Sequence, residues 1–163
     1  MISTRRMTRI VALSAVAIVL RILFGGLPNF KPLTAIFLVS LSYLTLVEGW
    51  IVMGLTMIGS GLLFGFSVVV LWQVISFGII QLIWWMLIRP FVLNKGMPLA
   101  LQGLLAGFLV YIYGLFISLL TAAQFGINPF IFWINGLIFD TLHMVSTVLF
   151  YPIIYHIFRR FYK

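Results

Sequence analysis

The sequence predicts an all-α integral membrane protein: a single domain, residues 1–163, of six transmembrane helices with both termini cytoplasmic. Three observations predict it. Of the 163 residues, 64% are apolar and only 7% are charged, against about 25% charged in a soluble domain. The apolar residues fall into long runs, and a spanning helix needs about 20 of them. The basic residues cluster at the ends of those runs and favour one side, which sets orientation. A soluble or disordered chain is excluded.

The first run covers Ile10 to Phe24 and extends back to Met7. Arg5, Arg6 and Arg9 precede it, and Arg21 interrupts its far end. A polar break, Gly25 to Lys31, is expected to form an outer loop, and Pro32 suits the first turn of the next helix. The second run is Leu33 to Val47 and the third Trp50 to Phe66, joined by a tight turn at Glu48 and Gly49. Gly54, Gly59, Ser60, Gly61 and Gly65 mark the third span for close packing. Between Gly65 and Trp72 the pattern blurs, and a short loop or re-entrant segment is expected. The fourth run begins near Leu71 and ends at Arg89-Pro90. The fifth is Leu99 to Ala122. The sixth, Phe130 to Ile157, is too long to cross straight, with a kink expected at Pro152.

With the termini inside, Arg5, Arg6, Arg9, Arg89, Lys95, Arg159, Arg160 and Lys163 are cytoplasmic. Only Lys31 and the intrahelical Arg21 lie toward the outside. The net charge of +8 is thereby a topology signal. No basic stripe runs along one face, so no nucleic-acid partner is expected. The absence of cysteine removes disulfides and thiol chemistry.

Polar groups inside a membrane are costly and need a reason. Asp140 and His143 are three residues apart on the sixth span and share a face, with Thr147 one turn on. They form either a ligand-facing pair or a helix–helix hydrogen-bond cluster in which Asp140 pairs with Arg21 or His143. A second polar set lies toward the outer side: Asn29, Lys31, Trp72, Gln73, Gln124, Asn128 and Asn135. Interfacial aromatics and ordinary loop polarity are the plain alternative for these. Tyr111 and Tyr113 are two positions apart and cannot both face one cavity; Tyr111 is assigned to it. Catalysis is not expected, because an aspartyl peptidase needs two carboxylates sharing a proton. The chain has only Asp140 and Glu48. It has no metal-binding His-Glu-x-x-His motif and no nucleotide-binding loop.

Three short segments, in order along the chain, carry a resemblance. Leu27-Pro-Asn-Phe-Lys-Pro-Leu-Thr-Ala35 resembles the Pro-Asn-x-Lys-Pro-x-Thr-Ala segment after the first helix in one branch of the substrate-binding (S) components of energy-coupling factor (ECF) vitamin transporters. Trp72-Gln73 resembles the Trp-Gln that opens that branch's fourth helix, and Phe139-Asp140-x-x-His143 its Phe-Asp-x-x-His. The resemblance implies a high-affinity binding subunit of a bacterial cytoplasmic membrane importer. Such a subunit captures a vitamin outside and delivers it with a transmembrane coupling (T) protein and two cytoplasmic ATPases. The ATPases use the ATP; no cofactor or metal is bound permanently, and the chain is not itself an enzyme. The branch is associated with cobalamin or its precursors; pantothenate, a pyridoxine-type vitamin and a queuosine precursor are the alternatives. The expected substrate-binding residues are Asn29, Lys31, Trp72, Gln73, Tyr111, Asn128, Asn135, Asp140 and His143. The family packs an Ala-x-x-x-Ala motif of the first helix against the coupling protein. This sequence departs from it, with Thr8-x-x-x-Ala12 nearest, so Thr8, Ala12 and Ala15 are the expected docking residues. A competing reading is a non-transport scaffold such as the small membrane subunit of the bacterial cell-shape machinery, which needs a filled bundle.

Overall fold

A computed structural model describes residues 4–161; the basic Lys163 lies outside them. Among the described residues the chain is all-helical. Its six helices are α1 (Thr4–Leu23), α2 (Leu33–Ser40), α3 (Leu46–Phe64), α4 (Val68–Asn94), α5 (Leu99–Phe125) and α6 (Pro129–Phe161). Four of them, α3 to α6, are long and apolar enough to cross a membrane. The α1 helix has the length, 20 residues, but carries Arg5, Arg6, Arg9 and Arg21. The outward-facing side chains are apolar, for example Leu62, Phe108 and Ile138, each more than 60% exposed. A surface of that kind suits lipid and not water.

The second run departs most from expectation. It forms only eight residues of helix, about 12 Å, far short of the roughly 30 Å hydrocarbon core. The cause lies on both sides of it. The polar break, Gly25 to Lys31, does not stay outside the bundle. Its Lys31 carbonyl accepts a 2.8 Å hydrogen bond from Ser146, and Phe30 packs edge-on against Phe150. Ser146 stands 17 residues beyond Pro129, the first of α6, or about 25 Å along that helix. The α2 helix therefore starts deep inside, and every one of its residues is buried.

At the other end, α3 begins earlier than the apolar pattern suggests. Thr45 and Glu48 form a capping box: the Thr45 hydroxyl accepts from the Glu48 N–H at 3.3 Å, and the Glu48 carboxylate accepts from the Thr45 N–H at 2.8 Å. Two orphan donors are satisfied at once. The expected turn at Glu48 and Gly49 is thus the first turn of α3.

The blurred stretch after Gly65 is a three-residue turn, and α4 starts at Val68. It does not stop at Arg89-Pro90. A π-helical turn, Trp84–Ile88, intervenes. The Arg89 N–H bonds to the Trp84 carbonyl, and Pro90 then stands in the first turn of the resumed α-helix, where its missing N–H costs little. Arg89 also donates to the Leu41 carbonyl at 2.6 Å and stacks over Trp85 at 3.8 Å. With the Arg6–Glu48 pair, this gathers the starts of α1 and α3 and the end of α4 at one end of the bundle.

The α3 helix packs closely as expected, since a Cβ on Gly59 would collide with Ile18 of α1, and the tightest approach is between α5 and α6. A Cβ on Gly107 would stand 2.6 Å from Val148, and one on Gly114 would collide with the Asp140 carboxylate. Gly103 faces the Val148 carbonyl, the group that Pro152 leaves without its helical donor. The α6 helix continues through that proline.

Candidate functional site

One small polar cavity gathers side chains from all six helices and the entering segment. Arg21 comes from the last turn of α1. Asn29 and Lys31 come from the segment that dips into the bundle. Met57 comes from α3, Gln73 and Phe77 from α4, Tyr113 from α5 and His143 from α6, with Leu33 of α2 as one wall. The void measures about 40 Å³, room for about three waters, where a pocket enclosing a whole drug-sized ligand measures about 300–1,000 Å³.

The walls are held by specific bonds. The His143 Nε2 and the Thr34 hydroxyl are 2.7 Å apart, both buried. The His143 ring meets Tyr113 edge-on at 5.3 Å, and Tyr113 lies 4.4 Å from Phe77. These contacts make a rigid floor. Arg21 donates to the Gln73 amide oxygen at 2.9 Å and to the Met57 thioether, a weak acceptor. Asn29 sits at φ 53°, the one non-glycine residue with positive φ among those described. Asn tolerates that region better than most residues, and such a backbone is kept where the surroundings fix it.

Of the nine expected binding residues, four line this cavity: Asn29, Lys31, Gln73 and His143. The other five lie elsewhere, each for a local reason. Trp72 turns away from Gln73 on the helix and donates its indole N–H to Gln124 at 2.8 Å. Tyr111 bonds Thr141 on the opposite side of α5, so Tyr113 is the phenol that faces the cavity. Asn128 caps α6, its side-chain oxygen accepting from the N–H groups of Phe130 and Ile131 at 3.0 and 3.2 Å. Asn135 is exposed on the outer part of α6. Asp140 is buried against Gly114, with Oδ2 left without a hydrogen-bond partner. It bonds neither His143, which uses Thr34, nor Arg21.

Sequence reasoning missed Arg21, Met57, Phe77 and Tyr113 as cavity residues. An intrahelical arginine and a mid-span phenol were signals for two of them. Nothing in an apolar run distinguishes the inward Met57 and Phe77 from their neighbours.

The expected docking residues lie on the other face of α1. Thr8 and Ala12 line an apolar groove of about 480 Å³ between α1 and the end of α6, with Ile36 of α2 beneath; Ala15 is exposed beside it. Comparison with protein-family models, with characterised proteins and with solved structures finds no match to this chain.

Proposed function

We propose that this protein is the substrate-binding component of an ECF-type importer in a bacterial cytoplasmic membrane. On this reading the chain winds six times between the two ends of the bundle, with the basic end, where α1 starts and α6 finishes, cytoplasmic. The 40 Å³ cavity is the closed form of the vitamin site, and the α1/α6 groove receives the coupling protein that works with two ATPases.

One observation carries the reading. The three segments that resemble the family are separated by dozens of residues, yet each contributes to the same cavity: Asn29 and Lys31 from the first, Gln73 from the second, His143 from the third. A scaffold with a filled bundle has no use for a void at the point where these segments meet.

The test is co-expression with the coupling protein and ATPases, followed by purification and binding of labelled cobalamin, pantothenate and pyridoxine. Co-purification and submicromolar binding of one vitamin are expected. Ala12→Leu should block assembly and leave vitamin binding intact. A chain that never co-purifies with the other subunits is not an S component.

A further inference from the structure

The charges around the cavity have a property that the family resemblance does not supply. Arg21 and Lys31 both face it. Two like charges in a partly buried site repel each other and need a counter-ion. No acid lines the cavity, and Glu48 is engaged elsewhere, with Arg6 at 3.9 Å. The nearest intramembrane acid, Asp140, is packed against Gly114 and outside the cavity lining. The partners that Arg21 does have are neutral, one of them a thioether. A planar guanidinium is best matched by a carboxylate or phosphate. The Gln73 oxygen is taken by Arg21, which leaves its NH₂ group to donate.

Resting on the proposed transport role, we infer that the cargo is an anion: Arg21 and Lys31 bind a carboxylate or phosphate of the ligand, with Gln73 and Asn29 as further donors. The void in this closed form matches the size of such a headgroup and not of a whole vitamin. The remainder of the ligand would enter only as the cavity opens. Among the candidate cargoes this favours a carboxylate-bearing one over a neutral one.

The experiment uses the full chain in nanodiscs of phosphatidylcholine alone. Two matched pairs are titrated: pantothenate against its alcohol pantothenol, and pyridoxine 5′-phosphate against pyridoxine. One anion of the four is expected to bind at least tenfold more tightly than its neutral partner. Arg21→Gln and Lys31→Gln should each remove that tenfold preference, and Arg21→Lys should restore part of it in a chain shown to be folded by its unfolding temperature. A neutral compound that binds equally well in wild type and both Gln variants overturns the anion inference and leaves the vitamin-binding role standing. Native mass spectrometry in discs containing phosphatidylglycerol separates the other source of phosphate. Retention of that lipid by the wild type and not by Arg21→Gln, with no vitamin bound, keeps the anion site and overturns the transport role. Binding of neither soluble anion nor anionic lipid overturns the anion inference.

Discussion

The basic end of the bundle and the cavity at its mid-depth treat charge in opposite ways. At the basic end three charged groups have an answer nearby. Arg6 pairs with Glu48, Glu48 closes the Thr45 capping box, and Arg89 finds a carbonyl and a tryptophan ring. At the cavity, two cations share one void with neutral side chains only. The first arrangement is finished within the chain and contributes to folding. The second is unfinished, and its completion requires something from outside. Substitutions should therefore register in stability at the basic end and in binding at the cavity.

The largest stability effect should arise beside the cavity, where α5 and α6 touch. Gly114→Leu would drive a side chain into the Asp140 carboxylate; overpacking of that kind costs about 3 kcal/mol. A thermal or denaturant unfolding series in detergent checks it. Thr34→Val should follow, at about 1–3 kcal/mol, because it leaves the buried His143 ring without its partner. Thr34→Ser should recover most of that loss. Thr45→Ala at the finished end should cost about 1 kcal/mol through the cap. Arg6→Gln there should cost well under 1 kcal/mol and be insensitive to ligand. Arg21→Gln would blur the contrast if it destabilised the empty protein as much as Thr34→Val does; the expected result is little change in unfolding temperature with a large loss of anion binding.

Much of the fold was legible because apolar runs bounded by basic residues leave little choice of helix. The boundaries that moved were those set by local polar chemistry. Thr45 and Glu48 extended α3 toward the N-terminus, and the π-helical turn carried α4 past Pro90. The site was half legible. Gln73 and His143 stood out as polar groups in apolar surroundings, whereas Trp72 and Tyr111 were set aside by helical phase, one or two positions from a residue that does face the cavity. Asn128 carried a polar signal of the same strength for a different purpose, the cap of α6. No feature of the sequence indicated that Gly25–Lys31, written in loop residues, would descend to the level of Ser146.

The short α2 helix has a consequence of its own. Leu33 forms part of the cavity wall and Ile36, one turn later, forms part of the groove floor. All eight residues of α2 are enclosed by neighbours, so the helix has no free side into which it can relax. A displacement of Leu33 by a guest in the cavity must therefore move Ile36 too. The two recesses share a single rigid partition.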